Sequence, residues 1–154
     1  MPTERDLLIA CLAELGGYTY DSAAYPKPGT KDCTRFTYGV LRSLWPILES
    51  YKGPLHITDP EHPFSNVEAL ESAGLALVSE APVPGRWHLV QGWQRLAPLS
   101  NGHAFLWYEP AVPIAAPSFI VQATPTDPPW CEPRTAQQQT ERFPHIRWAA
   151  LQLD

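Results

Sequence analysis

Lys31-Asp-Cys-Thr-Arg-Phe-Thr-Tyr-Gly-Val-Leu-Arg-Ser-Leu-Trp-Pro46 is the stretch on which the fold turns. Phe36, Val40, Leu41 and Leu44 recur at three- and four-residue spacing, which is one apolar face of a buried helix. Gly29-Thr30-Lys31 is turn-like and Asp32 suits the N-cap, so the helix is expected over 32–50. Pro46 marks its last turn or a kink. Cys33 then falls at about the first helical position, among unpaired backbone N–H groups at the positive end of the helix dipole. That setting favours a thiolate, drawing a cysteine pKa from about 8.5 toward roughly 3.5–7.5. It also offers N–H donors to an oxyanion beside the sulfur. A nucleophilic cysteine needs both, and a core cysteine needs neither.

Upstream, the spacing predicts a helix over 3–15. Thr3 can cap it with Asp6 three residues on, Leu7, Leu8, Cys11, Leu12 and Leu15 form the apolar stripe, and Gly16-Gly17 stops it. Cys11 on that stripe reads as core. Residues 18–31 form an aromatic-rich loop with Tyr18, Tyr20 and Tyr25. These tyrosines either cover the helix start or, for Tyr20, present a hydroxyl donor to the Cys33 site.

Downstream, 51–63 is a loop in which His56 and His62 flank Asp59 and Glu61. Scattered loop residues between prolines are seldom metal ligands, so neither a metal nor another cofactor is expected. Ser65 three residues before Glu68 fits a capping box, and Gly74 fits the stop of a short helix over 65–73.

After Pro82 the period changes to that of strands. Strands are expected at 86–96, bent at Gly92, at 103–108, at 118–123 and at 145–153. Ser100-Asn101-Gly102 reads as a turn, and 124–142, with four prolines and three consecutive glutamines, as a long surface excursion. Helices first and strands second indicate an α+β fold, an antiparallel meander packed on the Cys33 helix.

The chain has 154 residues, 44% hydrophobic and 18% charged, which suits one globular domain over 1–154. No repeat or linker divides it. The net charge of −5 speaks against a general nucleic-acid binder. The N-terminal apolar run is too short for a signal peptide, and no stretch reaches the roughly 20 apolar residues of a membrane span. A cytoplasmic location is expected, with export by a non-classical route as the alternative. Three cysteines without a short metal spacing suit reduced thiols.

Alternation puts His103, Phe105 and Trp107 on one strand face and Ile120 and Gln122 on one face of the next. If those faces point at the Cys33 helix, Cys33, His103 and Gln122 converge. A cysteine nucleophile needs a base within reach, and the base needs a third group to hold its ring.

The Asp32-Cys33-Thr34-Arg35-Phe36 box, with a tyrosine upstream, resembles the Asp-Cys-Ser-Gly-Phe box of NlpC-type cell-wall cysteine peptidases. Asn101-Gly102-His103-Ala104-Phe105-Leu106-Trp107 is similar to their histidine strand, and Ile120-Val121-Gln122-Ala123 to the strand bearing their polar third residue. The resemblance covers roughly 16–123. It implies a papain-like α+β core and a thiol hydrolase acting on peptide or amide bonds, such as those of peptidoglycan stem peptides. By the same resemblance Cys33 is the nucleophile, His103 the base and then the acid, Gln122 its orienter, and Tyr20 a donor to substrate or oxyanion. His103→Ala is then expected to abolish turnover and leave the fold intact. Thr34 and Arg35 stand where the family has serine and glycine. Together with Trp107 they are the substrate-contact candidates, and Arg35 could clamp a carboxylate. The expected partner is a peptide or peptidoglycan fragment, with no nucleic acid and no membrane. Two other readings of the same scaffold are a catalytically silent peptide-binding module, suited by six tryptophans and six tyrosines, and an acyltransferase or deamidase.

Overall fold

The computed structural model describes residues 1–15, 19–20, 30–31, 33–50, 61–112, 118–121 and 131–154. The first helix, α1, runs Glu4–Leu15. Thr3 caps it as expected: its Oγ1 accepts the Asp6 N–H at 3.2 Å, and Asp6 Oδ2 accepts the Thr3 N–H at 2.8 Å. These bonds to the carboxylate hold the Asp6 pKa below its ordinary value. Leu7, Ala10 and Cys11 are buried, but Leu8 and Leu12 are exposed, 43% and 71%. The apolar stripe of α1 is therefore narrower than its leucine spacing suggests.

A parallel two-residue pair follows, β1 (Thr19–Tyr20) with β2 (Thr30–Lys31), Tyr20 opposite Lys31. The next helix, α2, is Cys33–Leu44, shorter than expected, and a 3₁₀ turn takes over at Pro46–Ser50. Proline has no N–H to continue the ladder and its ring crowds the preceding turn. Phe36, Val40, Leu41, Trp45 and Leu48 are buried.

Helix α3 is Ser65–Ser72, and it corrects the capping expectation. The N-cap is Phe64, and no side chain within the helix closes the first turn. Gln91 Oε1, from β4 (Arg86–Leu96), accepts the Asn66 and Val67 N–H groups at 3.0 and 3.1 Å instead. A distant buried amide thus does the work that a local Ser65–Glu68 box would do. At the other end Gly74, with φ +71°, donates to the Glu71 carbonyl, and Leu75 donates to Leu70, the six-to-one and five-to-two bonds of a glycine-terminated helix. Gln91→Leu leaves two buried N–H groups without that acceptor. It is expected to cost about 1–3 kcal/mol in urea unfolding; a cost near zero would mean the α3 N-terminus does not depend on Gln91.

The remaining strands are β3 (Ala76–Ser79), β5 (Leu99–Glu109), β6 (Ser118–Val121), β7 (Cys131–Arg134) and β8 (His145–Leu151), and α4 (Ala136–Arg142) lies before the last. Six strands form one open antiparallel sheet in the order β3-β8-β4-β5-β6-β7. Strands β4 to β6 follow one another as in the expected meander, β7 extends it, and β8, expected as its last strand, returns to lie between β3 and β4. The expected turn at Ser100-Asn101-Gly102 lies inside β5, since the hairpin turns at Ala97-Pro98. The expected surface excursion over 124–142 instead contributes β7 and α4. Thr135 and Gln138 form a capping box at the start of α4, and Gln139 is fully buried.

Each face of the sheet carries its own core. On one face Leu7, Phe36, Val40, Leu41, Val67 and Leu70 from the first three helices meet Leu89, Leu106 and Val121. On the other, Phe105, Trp107, Ile120, Ile146 and Trp148 gather under Phe143, just after α4. Gly92 belongs to this second face: a Cβ there would sit 2.6 Å from the Phe143 Cβ, so only glycine lets the chain after α4 approach.

His88 is also buried on the second face, its ring edge-on to Trp148. Burial disfavours the imidazolium and lowers its pKa to about 4. The unfolded chain binds the proton near pH 6.5 and the native chain only near pH 4. Stability is therefore complete above pH 6.5, falls between 6.5 and 4, and is level in this respect below that. The loss is expected to total about 3 kcal/mol. Urea unfolding of wild type and His88→Gln across that window checks it, and equal pH slopes in the two proteins would remove His88 as the cause.

Candidate functional site

Cys33 is the first residue of α2, half-buried, with its sulfur outside any disulfide. The sequence builds this position through the apolar face of α2, which seats the helix on the sheet against Leu106 and Val121. Within that turn Thr37 Oγ1 donates to the Cys33 carbonyl at 3.0 Å, a bond that returns to the preceding turn. The parallel pairing of β1 with β2 places the Tyr20 backbone opposite Lys31, two residues before Cys33. Two of the residues expected at the site, Tyr20 and Cys33, are thus brought together along the backbone. Thr34 and Arg35 lie in the first turn of α2. Gln122 and Asp32 lie outside the described residues, as do His56 and Asp59.

His103 is placed differently from the expectation. Its ring stacks on Phe105 at 5.5 Å and on Phe143 at 6.0 Å, both on the face covered from the α4 side. Helix α2 packs on the opposite face, against Leu106 and Val121. The alternation that groups His103 with Phe105 and Trp107 holds, but the shared face turns away from Cys33. The reason is that β5 is apolar on both sides, Ala104 and Leu106 on one and Phe105 and Trp107 on the other. Both sides can therefore support a core, and α2 takes the side without the histidine.

Trp107 is corrected in the same way. It is fully buried, and its indole N–H donates to Glu109 Oε2 at 2.8 Å, an oxygen that also accepts the Ser118 hydroxyl at 2.8 Å. A side chain enclosed to this degree belongs to the second core and not to a substrate groove.

His62 Nδ1 stands 3.4 Å from Glu68 Oε2 at the exposed start of α3. Among the described residues no group of three His, Cys, Asp or Glu side chains is disposed to hold a metal ion. Among them, too, no helix is long and apolar enough to cross a membrane.

Sequence reasoning missed two buried polar groups, Gln91 and His88. Each sits within an apolar strand, where nothing local marks Gln91 as bonded to the α3 backbone or His88 as bonded to the N–H of Val83, five residues before it. Compared with protein-family models, curated proteins and solved structures, the chain matches none.

Proposed function

We propose that the chain is a cysteine-dependent hydrolase of peptide or amide bonds, with Cys33 as the nucleophile. One observation carries this: Cys33 opens α2 as a half-buried thiol, while Cys11 is enclosed in the core. The N–H groups of the first turn favour the thiolate and can receive the oxyanion of a tetrahedral intermediate. The sulfur attacks the carbonyl carbon, the C–N bond breaks as the amine takes a proton, and water then releases the acid from the thioester. The cysteine box suggests stem peptides of peptidoglycan as the substrate class. An amine in place of water would make the same site an acyltransferase, and a side-chain amide as substrate would make it a deamidase.

The position of His103 favours a second reading, a catalytically silent papain-like module that binds a peptide. In the first reading its role as base rests on the resemblance of the Asn101–Trp107 strand alone.

Iodoacetamide alkylation of Cys33 against pH separates the two. An enzyme is expected to show its half-maximal rate below about pH 7.5, and a rate that rises only near pH 8.5, as for a model thiol, supports the silent module.

A further inference from the structure

The connection Glu80-Ala-Pro-Val-Pro-Gly85 joins β3 to β4 and contains two prolines, which have no N–H. Between Ala81 and Gly85 only Val83 can donate from the backbone. Its N–H goes to His88 Nε2 at 2.8 Å. The ends of the connection are tied separately. Ser79 Oγ donates to the Ala81 carbonyl at 2.6 Å, and the Gly85 N–H donates to the Glu109 carbonyl at 2.7 Å. The middle is held by the imidazole.

We propose that His88 is an acid-sensitive latch, holding the 80–85 connection on the sheet while its ring is neutral and releasing it when the ring is protonated. Accepting at Nε2 requires the tautomer with its proton on Nδ1. A second proton takes the Nε2 lone pair and turns an acceptor into a donor that faces the Val83 N–H. The bond cannot survive that change, and the new charge is buried.

The surroundings set how easily this happens. From β5 the Trp107 backbone and then the Glu109 carboxylate favour the imidazolium, and from β4 itself the Arg86 backbone favours it while the Arg86 charge disfavours it. From β8 the ring meets Trp148, with Ala150 as its register partner, and neither is charged. Glu80, on the connection, is exposed. Burial outweighs these attractions and keeps the latch closed near neutrality, the His88 pKa lowered to about 4.

Amide hydrogen exchange on the full chain tests this, with each rate corrected for its intrinsic pH dependence. From pH 6.5 to 4 the Val83 amide is expected to lose at least tenfold of its protection through a local opening whose rate at pH 4 hardly changes with sub-denaturing urea, while Leu106 and Val90 in the β4–β5 ladder exchange through global unfolding and speed up with urea. His88→Gln offers an oxygen acceptor that takes no proton in this range, and its Val83 protection is expected to stay level. Val83 protection constant within twofold in the wild type would overturn the latch. So would a Val83 rate at pH 4 that climbs with urea as steeply as that of Leu106, or His88→Gln showing the same acid step. Should His88→Gln not fold, the wild-type comparison of Val83 with Leu106 decides alone.

Discussion

Trp148→Ala is expected to lower the unfolding free energy by about 3–5 kcal/mol. Trp148 is 1% exposed and sits at the centre of the second core. Its ring lies 5.4 Å from Trp107, 6.2 Å from His88 and 6.5 Å from Phe105, edge-on to all three. Truncation removes both the transfer free energy of an indole and the contacts of its neighbours, and those neighbours are strand residues that cannot close in. Urea unfolding measures the loss. Leu12→Ala on α1 is the control: Leu12 is 71% exposed, so a change within about 0.5 kcal/mol is expected. If Trp148→Ala cost less than 1 kcal/mol, the second core would not be a packed layer. A comparable loss in Leu12→Ala would restore the wider α1 stripe that the leucine spacing suggests.

Cys33→Ala is expected to lower turnover of a cleaved peptide or amide by on the order of 10⁴–10⁶-fold, with stability nearly unchanged. A nucleophile cannot be replaced by a methyl group, whereas a half-buried thiol contributes little to packing. Equal hydrolysis by wild type and Cys33→Ala would remove the proposed enzyme. His103→Ala then decides the base. A loss of the same order would make His103 part of the machinery despite its stacking on Phe143. Retained turnover would leave it as one ring of the second core. The two variants are read independently because Cys33 lies on the helix that packs on one face of the sheet and the His103 ring, from β5, lies on the other.

Local chemistry was legible in the residues. Thr3 with Asp6 starts α1, Gly74 ends α3, and Pro46 stops α2, because each acts on backbone groups within a turn of itself. The strand at 86–96 was legible to its ends, since a run rich in aromatic and other apolar residues follows the Pro82–Gly85 punctuation. Cys33 at the head of α2 followed from the same short-range rules. Helix α4 escaped notice although Thr135 and Gln138 spell its capping box, because prolines and glutamines around it suggested an exposed loop.

What the chain by itself determined is therefore the set of elements and the pairing of residues into faces, since periods of 3.6 and 2 are properties of the local backbone. Tertiary structure alone decided which face of β5 receives α2, that β8 enters between β3 and β4, and that Gln91 caps a helix some 24 residues upstream. Those choices depend on long-range burial. A strand apolar on both sides carries no local mark of which side a helix will cover, and the side that α2 covers determines whether Cys33 and His103 meet.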